Sequence, residues 1–211
     1  YVARALRDLP VVITVHDVIP WLQAQGKLGT VRPNLISRYV IRQSIQGLGF
    51  ASGLICDSTA TRDDMLLADR SLGQRATILF PPLEPSFFSD LDRDQSASRS
   101  PFIFHLGNNG FYKNREGVVR VYGRVNARHS HRLLLAGPAP TERLISLVRE
   151  LKLESRVEFV VDPSDEEVLG LYRRAALFLF PSVYEGFGWP PLEAMACGCP
   201  VVASSSGSLA E

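Results

Sequence analysis

The regular alternation of short β-branched runs with amphipathic helical segments is the feature that most constrains this sequence. In the first half, strand-like runs lie at residues 11–15, 51–58 and 76–82, and helical patterns cover residues 32–49 and 59–68. Such alternation predicts parallel strands joined by crossover helices, because a tight hairpin cannot connect parallel neighbours. We therefore predict an α/β fold with parallel sheets that carry helices on both faces.

A second block with the same alternation follows residues 83–100, a polar stretch rich in Ser and Asp that has the composition of an interdomain linker. We predict a partial N-terminal domain over residues 1–82 and a partial C-terminal domain over 101–211. Ser164 and Glu167 have the spacing of a helix capping box. The strand-like runs of this block cover residues 102–107, 131–137, 156–162, 176–182 and 200–204, and its helical patterns cover residues 114–128, 141–153, 164–175 and 190–197.

Charge and cysteine content exclude some classes of function. Lys plus Arg number 23 against 22 Asp plus Glu, so the chain lacks the basic excess of a nucleic-acid-binding protein. Cys56, Cys197 and Cys199 match neither a disulfide framework nor a zinc-site spacing, and we predict buried thiols in a reducing, cytoplasmic compartment. Because the sequence starts at Tyr1 rather than Met and stops without a closing helix, we expect it to be a piece of a longer chain.

Glycine turns at the predicted strand ends are candidate sites, because open α/β sheets bind ligands beyond the carboxyl ends of their strands. Gly107 opens a turn that leads to Lys113 and a helix N-terminus, an arrangement that suits a diphosphate. Taken alone, an ordinary turn with a solvated lysine is the simpler explanation of these residues. Gly137 ends the next strand in a tight turn that also suits a wall beside a ligand base.

Two glutamates flank the proline-broken segment "YEGFGWPPLEAMACGCP". The pattern predicts Glu193 in the first turn of a short helix, where the helix dipole stabilises an acid. Glu185 precedes that helix beside glycines and aromatic residues, where a carboxylate needs hydrogen-bond donors such as sugar hydroxyls. His16 follows a predicted strand directly and is either a structural histidine or a site residue. Ser58 is predicted to cap the helix that follows the next strand.

Three segments together resemble the retaining, GT-B-fold glycosyltransferases known as glycosyltransferase group 1 or family 4. They are "SVYEGFGWPPLEAMACGCPVVAS", with paired glutamates, "FHLGNNGFYKN" and "TVHDVIP". The resemblance runs from about residue 11 to residue 211 in the expected order. It implies two Rossmann-like domains that face each other across a cleft. The C-terminal domain would bind a nucleotide-diphosphate sugar, and the N-terminal domain would bind the acceptor.

The resemblance also implies roles for individual residues, with Gly107 and Gly137 in the donor-binding turns. Lys113 would neutralise the diphosphate, and Glu193 would bind the ribose hydroxyls. His16 and Glu185 would be the catalytic residues, with His16 near the reacting sugar carbon and Glu185 on the donor sugar. The backbone of Gly186, Phe187 and Gly188 would help to hold that sugar. No metal or other cofactor is implied. Many relatives carry an Arg a few residues before the Lys, whereas this chain has Asn108-Asn109-Gly110 there.

The predicted function is transfer of a hexose, with mannose as one candidate, from a nucleotide-diphosphate sugar to an acceptor with retention, in polysaccharide or glycoconjugate synthesis. The acceptor would be a carbohydrate or a lipid-linked molecule, so that peripheral contact with the inner face of a membrane stays open. No nucleic-acid partner is expected. Two alternatives remain: a related two-domain enzyme, such as a nucleotide-sugar epimerase or a phosphorylase, and a non-catalytic nucleotide-sugar-binding module.

Overall fold

A computed structural model describes residues 9–30, 32–88 and 100–211, with the side chains of residues 100 and 101 left aside. The described residues form two compact units. The first unit holds the described residues up to Pro82 together with Tyr184–Gly188 and Ser205–Glu211, and the second holds those of Leu83–Val183 and Trp189–Ser204. Each unit contains one sheet, and all strand pairs in both sheets are parallel. The α/β fold with parallel sheets is therefore confirmed.

The sheet of the first unit has the strand order β1-β2-β3. These strands are β1 Val12–Val15, β2 Gly53–Cys56 and β3 Ala76–Ile78. The described helices of this unit are α1 Ile19–Ala24, α2 Leu35–Leu48, α3 Thr59–Ala68 and α4 Arg70–Arg75. All three strands and the longer helices α2 and α3 were predicted. The pattern did not reveal α1 and α4, because six residues are too few to show a helical period.

Helix α2 differs from a typical amphipathic helix in how its apolar side chains are exposed. Asn34 caps its first turn by accepting a hydrogen bond of 2.8 Å from the backbone N–H of Ser37. Leu35 and Ile36 are 79% and 77% exposed, and Tyr39 and Val40 are exposed as well. The apolar period therefore predicts the helix correctly but not a buried face, because burial requires a second surface to pack against.

The sheet of the second unit has the strand order β6-β5-β4-β7-β8. Its strands are β4 Ser100–Leu106, β5 Arg132–Gly137, β6 Val157–Val161, β7 Ala175–Phe180 and β8 Val201–Ala203. Its described helices are α5 Arg115–Val125, α6 Glu142–Glu150, α7 Asp165–Arg174 and α8 Trp189–Ala196. Each of these elements was predicted from the sequence.

Both faces of this second sheet are covered by helices. On one face, side chains of β4 and β5 form a buried cluster with α5 and α6 that includes Ile103, Leu133, Leu135, Val118, Tyr122, Leu144 and Leu147. On the other face, Tyr172 of α7 packs edge-on against Phe104 and Phe178, with ring centroids 5.3 and 5.2 Å apart. The two layers leave the carboxyl ends of the strands as the place where loops can bind a ligand.

Several smaller predictions can be compared with the structure. Ser164 and Glu167 form the predicted capping box at the start of α7. The three cysteines are buried and none is in a disulfide. Of the predicted linker, residues 85–87 form one 3-10 turn, and residues 89–99 lie outside the described part. No helix in the described ranges has the length and apolar character needed to cross a membrane.

Candidate active site

The turn between β4 and α5 in the second unit presents a helix N-terminus beside a lysine. Lys113 ends a 3-10 turn over Phe111–Lys113, and its Nζ lies 5.1 Å from the centre of the Phe180 ring. Asn114 adopts a left-handed conformation and accepts a hydrogen bond of 3.2 Å from the backbone N–H of Gly117. The turn therefore combines a positive side chain with the positive end of an eleven-residue helix, which favours an anionic ligand.

Two predicted donor-binding glycines lie against each other at the ends of neighbouring strands. A side chain at Gly137, whose φ is +132°, would collide with the carbonyl oxygen of Gly107. A Cβ atom at Gly107 would lie 2.8 Å from Nε2 of His105 and 3.2 Å from Cβ of Lys113. Both positions therefore require glycine, because their backbones approach other atoms too closely for any side chain.

A cavity of about 750 Å³ opens in the same unit, and both Gly137 and Glu193 line it. This volume is in the range of sites for small ligands. Carboxylates are frequent among the lining residues, which include Glu84, Asp162, Asp165 and Glu166 as well as Glu193. Carboxylate oxygens accept hydrogen bonds from hydroxyl and amino groups, so this cavity suits the donor-rich part of a ligand and the Lys113 turn suits its anionic part.

Glu193 lies deeper in its helix than predicted. The sequence predicted a helix from Pro190 with Glu193 in the first turn, whereas α8 begins at Trp189 and has no acidic residue in that turn. Glu193 is the fifth residue, so the helix dipole does not account for its place there. Its Oε2 instead accepts a hydrogen bond of 2.9 Å from the hydroxyl of buried Tyr172. Burial raises the pKa of Glu193, and Tyr172 and Lys113 partly offset that rise.

In the first unit, His16 forms a pair with Asp57, a residue that the sequence analysis did not single out as functional. Nδ1 of His16 lies 2.5 Å from Oδ2 of Asp57; Asp57 is buried and the His16 side chain is 74% exposed. The carboxylate accepts, so Nδ1 donates, and Nε2 is the ring nitrogen that takes no part in this bond. The register of β1 against β2 explains the pair, because Val15 lies opposite Cys56 and the next residues after these are His16 and Asp57. The sequence alone does not give this register.

The segment around Glu185 packs within the first unit, close to His16. A side chain at Gly186 would collide with the backbone carbonyl of His16. The carbonyl of Gly186 accepts hydrogen bonds from the hydroxyls of Ser58, at 2.5 Å, and Thr61, at 3.1 Å. Ser58 also caps α3, as predicted.

Further hydrogen bonds hold the remainder of this segment. Glu185 is 6% exposed, and its backbone carbonyl accepts a hydrogen bond of 3.2 Å from the backbone N–H of Ser208. The Ser208 hydroxyl donates to the carbonyl of Phe187 at 2.6 Å. Gly188 has a φ of +98°, which only glycine adopts without strain. The segment is thus held by backbone contacts that leave its conformation well defined.

The structure thus gathers the predicted site residues into two groups, one in each compact unit. Gly107, Lys113, Gly137 and Glu193 belong to the second unit, and His16 with Glu185–Gly188 belongs to the first. Each group contains close contacts between elements that are distant in sequence. The roles of these residues remain predictions.

Comparison with known proteins identifies the family. The family described as "Glycosyl transferases group 1" matches residues 88–211, which is more than half of the chain. The chain belongs to the group 1 glycosyltransferases. The resemblance inferred from the sequence is therefore confirmed, and the segments that carry it lie at the two groups of site residues described above.

Relatives with known names cover nearly all of this chain. It is 29% identical over 215 residues to the serotype-specific mannosyltransferase WbdA of Escherichia coli, an alignment that covers 95% of this chain and 26% of WbdA. It is 45% identical over 224 residues to the D-inositol 3-phosphate glycosyltransferase of Corynebacterium jeikeium, covering 90% of this chain and 52% of that enzyme. The chain thus spans about a quarter to a half of these relatives.

A solved structure supports the same fold. The crystal structure of Anabaena HepE in complex with UDP and glucose superposes with a TM-score of 0.72 at 21% identity, over 95% of this chain and 54% of HepE. At this identity the likeness concerns the fold, which is the GT-B type expected for the family.

Proposed function

We propose that this chain carries the donor-binding part and a share of the catalytic part of a retaining hexosyltransferase that uses a nucleotide-diphosphate sugar. The observation that carries the proposal is the second unit's combination of Lys113 at a helix N-terminus with a carboxylate-lined cavity that contains Gly137 and Glu193. A nucleotide-diphosphate sugar has the matching charges, because its diphosphate is anionic and its ribose and base offer hydrogen-bond donors.

The diphosphate would bind at the start of α5. Negative charge grows on the diphosphate as the bond to the sugar breaks, and preorganised donors that stabilise this charge lower the barrier. Lys113 and the backbone N–H groups at that turn would supply these donors. Glu193, whose carboxylate orientation is held by Tyr172, would accept hydrogen bonds from the ribose hydroxyls.

His16 and Glu185 would act on the transferred sugar in this proposal. Asp57 holds Nδ1 of His16, so that Nε2 is available to accept a hydrogen bond from a sugar hydroxyl. Glu185, Gly186, Phe187 and Gly188 would hold the same sugar through carboxylate and backbone groups. We assign no metal to this chemistry, because Lys113 and the α5 N-terminus would provide the positive charge that the leaving group needs.

The choice of sugar, acceptor and compartment is part of the same proposal. WbdA is a mannosyltransferase, which supports mannose as the first sugar to test. The acceptor would be a carbohydrate or a lipid-linked glycan, and the protein would work in the cytoplasm, with contact at the inner face of the membrane when the acceptor is lipid-linked.

The donor site can be tested by calorimetry with UDP-glucose, UDP-galactose, GDP-mannose and GDP in the presence of EDTA. We expect one nucleotide class to bind, and we expect Lys113→Ala to weaken that binding by about tenfold to a hundredfold, since a hydrogen bond to a charged group contributes about 1.5–3 kcal/mol. Glu193→Gln retains an acceptor for Tyr172 but loses the charge, and it should weaken binding of the nucleoside part. Arg149→Ala removes an exposed cation of α6 and serves as the matched control.

Transfer and its stereochemistry need a separate measurement. With the donor identified, proton NMR of the product formed on a mannoside acceptor should show the same anomeric configuration as the donor. Inversion would contradict retention, and binding without turnover would favour the non-catalytic module. If no nucleotide sugar binds the wild-type chain at millimolar concentration, the donor-site proposal is wrong for this chain.

A further inference from the structure

Arg115 is a buried cation without a carboxylate partner in the part of the chain that the structure describes. It is the first residue of α5, and only 6% of it is exposed. Its Nη1 donates to the side-chain oxygen of Asn109 at 2.6 Å and to the carbonyl of Pro138 at 3.0 Å, both of them neutral acceptors. Its Nε has no hydrogen-bond partner. A buried guanidinium with neutral partners is unusual, because burial of a charge is costly unless an opposite charge compensates it.

The two acceptors of Arg115 lie on different turns of the same unit. Asn109 belongs to the turn after β4, and Pro138 belongs to the turn after β5. Asn109 in addition donates from Nδ2 to the carbonyl of Ala139 at 2.9 Å. Arg115 therefore connects the turn that contains Gly107 with the turn that contains Gly137, and these are the turns of the proposed donor site.

No neighbouring group described here cancels the charge of Arg115. His105 is fully buried, and its Nδ1 lies 2.9 Å from the carbonyl of Leu179. Burial, together with the positive charges of Arg115 and Lys113, lowers the pKa of His105 to about 4, so this histidine is neutral near pH 7. The start of α5 therefore holds the charge of Arg115 beside that of Lys113.

We propose that Arg115 is a positioning residue of the donor site, which ties the Gly107 and Gly137 turns together and holds a buried positive charge that a bound diphosphate compensates. The inference rests on the proposed function. Because Arg115 is buried, its charge is screened less by salt than that of an exposed lysine. Its Nη1 also donates to one acceptor on each of the two turns, so the same cation links the turns and supplies the charge.

The test compares ligands with and without the diphosphate on Arg115 variants of this chain. Binding of UDP, GDP, uridine and guanosine is measured by calorimetry and ligand-observed NMR for wild type, Arg115→Gln, Arg115→Lys and the exposed control Arg149→Gln. We expect Arg115→Gln to weaken the diphosphate that wild type prefers by tenfold or more, with its nucleoside changed less than twofold. Arg115→Lys, which keeps the charge, should recover most of that loss.

Each outcome decides between the inference and its alternatives. If Arg115→Gln weakens nucleoside and nucleoside diphosphate equally, Arg115 has only a structural role and the inference is wrong. It is equally wrong if both ligands bind the variant as they bind wild type, or if a folded Arg115→Lys shows no recovery. If the wild-type chain binds none of the four ligands, both the proposed function and this inference are wrong. If wild type binds and only the Arg115 variants lose affinity, the result concerns Arg115 alone. Circular dichroism confirms that each variant is folded.

Discussion

At the scale of single residues, buried polar groups beside the glycine turns determine what the site can do. The ring of His105 lies so close to Gly107 that a side chain at Gly107 would collide with it. Nε2 of His105 has no hydrogen-bond partner. Leu179 O can only accept, so Nδ1 carries the proton and Nε2 is an unpaired acceptor. His105 thus lies against the Gly107 turn, and burial keeps its Nε2 unprotonated near pH 7.

His105 should make stability depend on pH. Its pKa is about 4 in the folded chain, against 6.5 as the ordinary value. The unfolded chain therefore binds a proton more readily, and the folded state loses stability as the pH falls from about 6.5 towards 4. A difference of this size corresponds to about 3 kcal/mol. Urea unfolding at pH 7.5 and 4.5 should show a clearly smaller loss for His105→Leu than for wild type. An equal loss would contradict a buried neutral histidine, and His131→Leu serves as the control.

At the scale of elements, helix caps connect loops that carry site residues to their helices. Ser58 accepts a hydrogen bond of 3.0 Å from the N–H of Thr61 at the start of α3 and donates one to the carbonyl of Gly186. Ser164 caps α7 with the help of Glu167, and those bonds lie at an exposed surface. The two serines therefore differ in what their loss would cost, although both fit the same capping pattern in the sequence.

Replacement of the two caps by alanine should separate these roles. Ser164→Ala is expected to lower the free energy of unfolding by about 1 kcal/mol, as for an ordinary cap. Ser58→Ala should cost about 2 kcal/mol or more, because it also leaves the buried Gly186 carbonyl with one donor fewer. Equilibrium unfolding in urea measures both changes, with Ser146→Ala on the exposed side of α6 as a neutral control. Equal costs for the two caps would show that the bond to Gly186 contributes nothing.

At the scale of the whole molecule, the question is whether donor binding needs a metal ion. In the ranges that the structure covers, no group of three or more His, Cys, Asp and Glu residues is placed to hold one. The sequence also contains Asp90, Asp92 and Asp94 at alternate positions, and these lie outside the described residues. Positive charge for the diphosphate would come instead from Lys113 and Arg115 at the start of α5.

We therefore expect the affinity for the preferred nucleoside diphosphate to change by less than twofold between a buffer with about 5 mM EDTA and buffers with about 5 mM Mg²⁺ or Mn²⁺. The reason is that cations of the protein would neutralise the ligand. Calorimetry in the three buffers measures this directly. A large loss in EDTA would overturn metal-independent binding, and Asp92→Asn would then test whether the alternate aspartates hold the ion.

The sequence by itself determined the properties that depend on neighbouring residues along the chain. Short β-branched and apolar runs located the eight strands of the described residues, the helical patterns located the longer helices, and the capping residues Ser58 and Ser164 marked helix starts correctly. These features are local, because backbone preference and side-chain period act over a few residues. Motif order also pointed to the family, which the match over residues 88–211 confirmed.

Only the tertiary structure decided which distant residues meet. The pairing of His16 with Asp57 joins positions 41 residues apart, and it depends on the register of β1 against β2. The contact of Arg115 with Pro138, the bond from Tyr172 to Glu193 and the packing of Gly186 against His16 likewise arise from side chains and loops brought together by the sheets. The spacing of apolar residues in α2 likewise could not show that its apolar face is exposed, because burial depends on the surfaces that surround a helix.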